Sequence, residues 1–335
     1  MSKDQAITRF LDGLTRSSRR LWGQRTRVLV AISGGADSRA LLSGLHAIAA
    51  RLELQLEAAT IDHGLRPTSA EEARKVGAWC AALGVIHHVV AVDLSAVQTG
   101  VEEAARQARY AALARVRDER GLGWIATAHT ASDQAETVLM RLLRGASPGG
   151  LAGIHEARAD RVARPLLFAT RGEVEAYLTA KGLDWVHDEM NDDPQFLRVR
   201  VRREVVPVLS ALGGDGVVQR LARVAQQAAE DEGWLASEAT RALERLKAGD
   251  ELDGAGLLEL PSPLGRRVLA QWLGDRGLPI DGELIADGLR AVREGGTATL
   301  PHDRVLACKN GRVRVLEAPP RLHATSSGTD GRNGA

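Results

Sequence analysis

The chain has 335 residues, of which 44% are hydrophobic, and a formal net charge of +1. This length suits two domains with sizeable cores, and the near-neutral charge neither requires nor excludes a nucleic acid partner, because a local basic face is sufficient. The two cysteines, Cys80 and Cys308, lie far apart in the sequence, which argues against a disulfide framework, a zinc knuckle or a thiol-relay motif.

The N-terminal segment 1–14 is charged and has no apolar core of signal-peptide length. The longest weakly charged run, Ala78 to Val92, is interrupted by Gly84, His87 and His88 and is too short to span a bilayer. We therefore expect a soluble, cytoplasmic chain with no membrane partner.

Apolar runs and helical patterns alternate along the first half of the chain. Strands are predicted at 28–32, 54–64, 85–93 and 123–129. Helices are predicted from the end of the first strand through Ala49, and then at 71–83, 101–121 and 131–144. This alternation implies parallel strands with right-handed crossovers, and so a doubly wound, Rossmann-like α/β domain.

The remainder of the chain has a different pattern. A hinge is predicted near 211–216 (ALGGDG), between the α/β domain at 1–212 and a smaller, mainly helical domain at 213–318. The segment 217–247 is helical, and strand signals return only at 303–317, where Asn310 and Gly311 separate two apolar alternations and predict a hairpin. The polar tail 319–335 is predicted to be disordered.

Polar clusters follow three of the predicted strands. Residues 33–38 follow the first strand, and 62–64 follow the second. His129 ends the fourth strand, with Asp133 and Glu136 just inside the next helix. Because open α/β sheets bind ligands at the carboxyl ends of their strands, we expect these residues to form one site.

The loop Ser33-Gly34-Gly35-Ala36-Asp37-Ser38 joins the first strand to the first helix of the sheet. Its glycines allow a tight turn and a close approach of the backbone to a ligand, and the turn directs N–H groups at an anion. It lacks the Gly-Lys-Ser/Thr of a Walker A loop. The alternative is an ordinary strand-to-helix turn capped by Asp37 or Ser38.

This loop resembles the pyrophosphatase loop (PP-loop) of the N-type ATP pyrophosphatases, which implies an adenine nucleotide alpha hydrolase type of fold. Further stretches resemble the tRNA(Ile)-lysidine synthetases within that group. They are IDHGLRP at 61–67, Glu103 with RQARY at 106–110, the segment 126–154 and the segment 188–209. The chain departs from this family at Thr130, where a second His is common, at Ser132, where an acid is frequent, and at Val199, where Asn is usual.

The resemblance implies a ligase that uses ATP and Mg²⁺. Enzymes of this family adenylate the C2 oxygen of the wobble cytidine in tRNA(Ile) with a CAU anticodon. The amine of free L-lysine then attacks C2, AMP leaves, and the lysidine product reads AUA in place of AUG. A ring carbonyl oxygen is a poor leaving group until it is esterified to phosphate, so adenylation has to come first.

The resemblance also implies roles for individual residues. ATP binding falls to Ser33, Gly34, Gly35, Ala36, Asp37, Ser38, Asp62 and His63. Catalysis falls to Asp37, Arg109, His129, Asp133 and Glu136, with Asp37 and Asp133 as Mg²⁺ ligands. Contact with tRNA phosphate falls to Arg198, Arg200, Arg202 and Arg203.

Plainer interpretations remain open for most of these residues. Asp133 and Glu136 have the spacing of an N-cap and its N3 partner, Arg109 fits an exposed helix position, and the arginine run fits a solvated face. Asp62 and His63 fit an ordinary turn. A tRNA thiolase with the same ATP loop, another amide-forming ligase and a nucleotide-binding regulator without turnover are the competing functions. The sequence leaves the oligomeric state, including a homodimer, open.

Overall fold

The computed structural model describes residues 2–62, 69–92, 101–186 and 195–318. The chain divides into two compact units, Met1–Glu230 and Asp231–Ala335. The boundary falls inside a long helix, later in the chain than the hinge predicted near 211–216. Within that predicted hinge, Gly214 has a φ of 77° and serves as the C-cap of one helix, just before the long helix begins. The predicted tail 319–335 lies outside the described residues.

A parallel five-stranded sheet organises the first unit. Its strands are β1 (Arg27–Ala31), β2 (Gln55–Asp62), β3 (Ile86–Ala91), β4 (Trp124–Ala126) and β5 (Val162–Ala163). Their order is β3-β2-β1-β4-β5, with every neighbouring pair parallel. The chain order reverses between β1 and β4, and the carboxyl ends of these two strands therefore flank the crevice where such sheets bind ligands. The doubly wound fold is confirmed.

Helices cover both faces of this sheet. The α-helices that precede β5 in the chain are α1 (Lys3–Leu21), α2 (Ala36–Leu52), α3 (Ser69–Ala82), α4 (Val101–Glu119) and α5 (Ala131–Leu143). In β1, Val28 and Val30 join a core with α1 and α2, whereas Leu29 joins a second core with Leu113 of α4. All three strand residues are fully buried, which explains why β1 appears as an unbroken apolar run.

Several elements of the first unit were not predicted, including its first helix, its last strand and the helix that follows that strand. Helix α1 packs Phe10 and Leu14 into the core beside Tyr177 of α6 (Arg171–Lys181). The Phe10 and Tyr177 rings stack with their centroids 4.1 Å apart. Strand β5 has only two residues, which is too short for a periodic pattern to be read.

A helical segment with a wide turn follows α6. It consists of α7 (Leu197–Arg200), one π-helical turn (Val201–Val205) and α8 (Val206–Gly213). The π turn precedes Pro207, which has no N–H to donate and whose ring crowds the preceding turn, so a wider turn relieves the crowding. Arg198 lies on α7, and Arg202 lies in the π turn.

The second unit begins within helix α9 (Val217–Leu246). It contains α10 (Gly254–Glu259), α11 (Ser262–Gly274) and α12 (Gly282–Glu294), so its helical character is confirmed. It also contains an antiparallel sheet ordered β6-β7-β10-β9-β8, formed by Lys247–Ala248, Glu251–Asp253, Arg312–Glu317, Arg304–Lys309 and Thr297–Leu300. The expectation of no strand before 303 was therefore wrong, because β6, β7 and β8 are too short for a period of two to be recognised.

The predicted hairpin is confirmed. Strands β9 and β10 pair with Lys309 opposite Arg312. Asn310 and Gly311 between them have φ angles of 53° and 72°, which a two-residue turn of type I′ requires. Among the described residues, no helix is both long and apolar enough to cross a membrane.

Candidate active site

The loop from Ser33 to Ser38 leaves the start of α2 open to a ligand. Gly34 has a φ of 91°, which favours glycine. Gly35 is the N-cap of α2, and no side chain of the described residues caps this helix start with a hydrogen bond. The Ser38 hydroxyl instead donates to the Gly35 carbonyl at 3.0 Å and accepts from the Ser33 N–H at 3.2 Å. A turn capped by Asp37 or Ser38 is therefore ruled out.

Asp37 occupies the first turn of α2 in an unusual electrostatic environment. Burial raises the pKa of its carboxyl to about 6, and the nearby Asp133 adds to this effect, while Arg171 and Arg202 act in the opposite direction. One carboxylate oxygen, Oδ1, is buried and has no hydrogen-bond partner among the described residues. An unpartnered buried carboxylate oxygen is costly, and such an atom is suited to receive a cation or a donor from a ligand.

Asp133 is the third residue of α5 and closes a capping box with Thr130. The Thr130 N–H and hydroxyl both donate to Asp133 Oδ2 at 2.8 Å. The predicted alternative, with Asp133 as the N-cap and Glu136 as its partner, was wrong because Thr130 is the N-cap. The other carboxylate oxygen, Oδ1, lies 3.5 Å from Arg171 and 3.6 Å from Arg198. Asp133 therefore combines a capping role with a position in a charged cluster.

His129 precedes this capping box and is held by a neighbouring hydroxyl. Its Nδ1 lies 3.0 Å from Thr127 Oγ1. Burial lowers the pKa of His129 to about 3; Asp133 opposes this shift, and Arg164, Arg198 and Arg106 add to it. Near neutral pH the imidazole is therefore uncharged, and it is a weak base in this environment.

Glu136 is the most buried acid of the site, with a side chain only 2% exposed, and it is surrounded by arginines. Arg198 Nε lies 2.8 Å from one of its oxygens and Arg202 Nε lies 2.7 Å from the other. Arg171 is 3.5 Å away. The three guanidinium groups compensate the buried carboxylate, and without them its burial would be strongly unfavourable.

Arg171 was missed by the sequence analysis. It is the first residue of α6 and reaches carboxylates of Asp37, Asp133 and Glu136 at 3.8, 3.5 and 3.5 Å. The backbone N–H of Arg171 donates to the Ser132 hydroxyl at 3.0 Å, and this bond fixes the start of α6 against α5. The capping pattern of Thr170 and Glu173 signals a helix start, but nothing in the sequence indicates which site that helix start faces.

The structure brings together one part of the predicted site. We call Asp37, Asp133, Glu136, Arg171, Arg198 and Arg202 the acid–arginine cluster. It lies at the carboxyl edge of β1 and β4, with His129 beside it. Of the family departures, Thr130 and Ser132 support this cluster through the bonds given above, and Val199 is buried.

Other predicted residues are not part of the acid–arginine cluster. Asp62 ends β2, beside the strand that leads into the loop, and His63 lies outside the described residues. Arg109 packs over the Tyr110 ring, and Arg200 pairs with Glu204 at 3.3 Å. Arg203 lies in the π turn. Contact of the four arginines from Arg198 to Arg203 with RNA phosphate stays a prediction, and two of the four are already paired with Glu136.

Comparisons with known proteins agree with this geometry. A family model described as a PP-loop domain matches residues 5–209. A tRNA(Ile)-lysidine synthase from Salinispora tropica is 42% identical over 314 residues, which cover 90% of this chain and 91% of that protein. The corresponding protein of Mycolicibacterium paratuberculosis is 38% identical over 331 residues, covering 96% and 99%.

A solved structure shares the fold at low identity. The U34-tRNA thiolase NcsA from Methanococcus maripaludis superposes with a TM-score of 0.58 at 17% identity, covering 68% of this chain and 80% of that one. The fold, the loop and the family model define a PP-loop domain of the class that uses ATP. The chain belongs to the tRNA(Ile)-lysidine synthase family, whose members are ATP-dependent ligases that form C–N bonds.

Proposed function

We propose that this protein joins lysine to C2 of the wobble cytidine in tRNA(Ile) with a CAU anticodon. ATP is split into AMP and pyrophosphate through an adenylated tRNA intermediate, and the lysidine formed changes codon reading from AUG to AUA. The observation that carries the proposal is the start of α2, which has no side-chain cap and lies beside the half-buried Asp37, in a chain 42% identical to a lysidine synthase. One Asp37 oxygen is buried and has no hydrogen-bond partner among the described residues.

The loop from Ser33 to Ser38 would hold the leaving pyrophosphate. Its backbone N–H groups and the positive end of α2 favour a multiply charged anion, and the Ser33 hydroxyl adds a donor. Donors fixed in place before reaction stabilise charge as it develops on the leaving group, without reorganisation. The chain's own contribution to adenylation is thus electrostatic and positional.

The acid–arginine cluster suits free lysine as the second substrate. Lysine carries one carboxylate and two ammonium groups. The cluster offers three carboxylates and three guanidinium groups, each within ion-pair distance of at least one group of opposite charge. The attacking ε-amine has to lose a proton. The pKa of His129 is near 3, and Glu136 is enclosed by arginines. Burial raises the pKa of Asp133, but Arg198 and Arg171 outweigh it and hold that pKa below its ordinary value. Asp37, with a pKa of about 6, is therefore best placed to accept the proton.

Asp37 and Asp133 fit a role in holding Mg²⁺. Among the described residues, no group of three or more His, Cys, Asp or Glu side chains is arranged to hold a metal ion. Mg²⁺ commonly takes only one or two protein carboxylates and completes its shell with water and substrate phosphates, so two acids, one with a free buried oxygen, are sufficient. When bound, the ion would neutralise charge on the phosphates.

A thiolase is the weaker candidate. Persulfide or cluster chemistry requires accessible cysteines, and the whole chain has two. Both Cys80 and Cys308 are buried, and burial raises the pKa of Cys80 to about 11, so little thiolate is present near neutral pH. Neither residue belongs to the acid–arginine cluster.

We also propose that residues 213–318 form the part of the chain that recognises the body of the tRNA. The support is a separate core in the second unit, which includes Trp272 and Leu306 and is distinct from the cores of the ATP-binding domain. Binding of a full-length tRNA and of its isolated anticodon stem-loop by the intact chain tests this assignment. Equal affinities for the two RNAs would contradict it.

Incubation with ATP, Mg²⁺, labelled lysine and the CAU-anticodon tRNA(Ile) tests the proposed reaction. We expect label in the tRNA and release of AMP in equal amount, with no label in a transcript that carries uridine at the wobble position. Release of ADP would contradict the role of the loop, and transfer of sulfur in place of lysine would favour the thiolase.

A further inference from the structure

A second group of arginines lies outside the acid–arginine cluster. We call Arg106, Arg109, Arg158 and Arg164 the Tyr110 arginine group. The guanidinium carbons of Arg106, Arg109 and Arg158 lie 5.2, 5.5 and 5.0 Å from the centroid of the Tyr110 ring. Arg164, only 2% exposed, belongs with them, because burial lowers its pKa, Tyr110 opposes this, and the charges of Arg158 and Arg106 lower it further.

The positive charge of this group is mostly uncompensated. Arg158 pairs with Asp160 at 2.7 Å, whereas Arg106 and Arg109 make no ion pair within the part of the chain that the structure describes. Three guanidinium groups over one ring, with that of Arg164 nearby, repel one another, and the Tyr110 quadrupole offsets only part of this. An anion at this position would remove the repulsion.

One of the hydrogen-bond donors of Arg164 is unsatisfied. One of its terminal nitrogens, Nη1, donates to the His155 carbonyl at 2.5 Å. Its Nε is buried and has no partner among the described residues. A buried guanidinium donor without an acceptor is unfavourable, so a ligand oxygen in reach of this atom would be bound favourably. The unpaired donor and the unbalanced charge are separate observations that indicate the same kind of ligand.

The group lies on the His129 side of the active site. Arg164 directly follows β5, which pairs with β4, and β4 leads into His129. The charges of Arg164 and Arg106 act on His129. The charges that act most strongly on Asp37 come from other residues, Asp133, Arg171, Arg202 and Glu175. The Tyr110 arginine group is therefore next to the reacting centre but distinct from the loop that would hold the ATP phosphates.

We propose that the Tyr110 arginine group binds a backbone phosphate of the RNA substrate, adjacent to the nucleoside that reacts. Guanidinium forks match phosphate oxygens, and a ring that orders several of them prepares the site before the RNA arrives. Such an anchor would fix the strand so that the wobble base reaches His129 and the acid–arginine cluster. The inference rests on the proposed function and adds Arg106, Arg158 and Arg164 to it.

The test uses Arg106→Gln and Arg158→Gln, because both residues are solvent-accessible and neither change leaves a buried void. Arg115→Gln is the matched control, since Arg115 lies on the same helix, is 62% exposed and pairs only loosely with Glu119. Affinity for the anticodon stem-loop is measured by fluorescence anisotropy across a series of KCl concentrations. ATP affinity and melting temperature are measured for each variant.

We expect both test variants to bind the stem-loop more weakly than the wild type. The slope of log affinity against log salt should become shallower by about 0.7 for each phosphate that is no longer bound. We expect Arg115→Gln to match the wild type, and ATP affinity and melting temperature to stay unchanged in all three. Slopes equal to the wild-type slope would overturn the proposal. So would weaker ATP binding with an unchanged RNA slope, because the ligand would then be a nucleotide phosphate.

Lysine incorporation by the wild-type protein separates this inference from the proposed function. If the wild type incorporates lysine and both variants keep the wild-type salt slope, this inference is wrong and the proposed function stands. If the wild type incorporates no lysine into any tRNA, the proposed function is wrong, and this inference falls with it because its substrate is then misassigned.

Discussion

The guanidinium group of Arg171 lies 3.8 Å from the carboxylate of Asp37. The two residues are far apart in sequence, because Asp37 is in the first turn of α2, which precedes β4, and Arg171 begins α6, which follows it. The same side chain contacts Asp133 and Glu136. Three carboxylates this close would repel one another, and Arg171 lies within ion-pair distance of all three. We therefore expect it to keep Asp37 ionised for Mg²⁺ and ATP.

Arg171→Gln tests this role through the pH dependence of turnover. The pKa of Asp37 is about 6, and the positive charge of Arg171 lowers it. Removal of that charge should therefore raise the pKa of Asp37. The acid limb of kcat/KM should move to higher pH. Below the pKa, the ionised fraction of Asp37 at a fixed pH should fall about tenfold for each pH unit by which the limb moves. Activity should be partly recovered at alkaline pH, and Arg171→Lys should keep a limb close to wild type.

Arg9→Gln is the control, because Arg9 forms an exposed ion pair with α6 at Glu173, 2.9 Å away. It should leave the pH profile unchanged. A uniform loss of rate in Arg171→Gln, with the acid limb in its wild-type position, would show that Arg171 supports the structure without controlling the ionisation of Asp37.

Asp133→Asn separates catalysis from helix capping. An Asn side-chain oxygen can still accept from the Thr130 N–H and hydroxyl, so the capping box should be kept. Burial raises the pKa of Asp133, but Arg198 and Arg171 outweigh it and hold the pKa below its ordinary value, so loss of the charge should lower the melting temperature at neutral pH. Loss of the charge should lower turnover by about two orders of magnitude. Calorimetry and the lysine incorporation assay measure the two effects separately.

Glu173→Gln is a matched control for that substitution. Glu173 is the third residue of α6 and accepts from the Thr170 N–H and hydroxyl at 2.9 and 3.0 Å, just as Asp133 does from Thr130 on α5. The same chemical change should leave turnover within about twofold of wild type, because Glu173 forms its ion pair with the exposed Arg9 and is not part of the acid–arginine cluster. Turnover of Asp133→Asn close to that of the control would make Asp133 a structural residue.

Gly35→Ala distinguishes a ligand requirement from a folding requirement in the loop. Gly35 has a φ of −68°, and an added Cβ would meet only the Ser33 hydroxyl at 3.8 Å. The fold should accept this methyl group at a cost below about 1 kcal/mol. If a phosphate approaches the backbone here, ATP affinity should fall at least tenfold, as isothermal titration would show.

Gly172→Ala provides the comparison, since a Cβ at that position near the start of α6 would have nothing within 4 Å. It should preserve both stability and ATP affinity. Unchanged ATP affinity in Gly35→Ala would mean that the phosphates do not approach the loop backbone at Gly35.

Glu57→Gln tests a buried ion network at the amino end of the sheet. Glu57 lies 2.7 Å from His88 and 3.0 Å from Arg120. Burial raises the pKa of Glu57, but hydrogen bonds from Arg120 and His88 outweigh it and hold the pKa below its ordinary value. A lowered pKa in the folded state gives stability that is present above the unfolded pKa, about 4.3, and is lost as the pH falls through the folded value.

Urea unfolding should therefore show Glu57→Gln to be about 1–3 kcal/mol less stable than wild type at pH 7. The difference should shrink steadily below about pH 4.3. Glu119→Gln removes one partner of an exposed ion pair. Its free energy of unfolding should stay within about 0.5 kcal/mol of wild type at pH 7 and below about pH 4.3. A constant difference between Glu57→Gln and wild type across this range would mean that the carboxylate keeps its ordinary pKa.

The sequence predicted the sheet and the residues that follow its strands, because β1 and the Ser33–Ser38 loop carry strong local signals. It predicted Asp133 and Glu136 as neighbours on α5 for the same reason. It could not predict Arg171, or that Arg198 and Arg202 close on Glu136, because these contacts join residues 35 to 66 positions apart. No periodicity records which helix start faces which carboxylate.

The span of those ion pairs has a consequence for synthesis of the chain. Glu136 is buried, but its closest partners, Arg198 and Arg202, are translated much later. Until they have left the ribosome, the acid of α5 has no full set of counter-charges and its burial is unfavourable. The sheet can assemble early, but the pocket beside it becomes competent only when the helix through residue 202 docks. A ribosome stalled before that point should therefore carry a nascent chain that does not bind ATP or lysine productively.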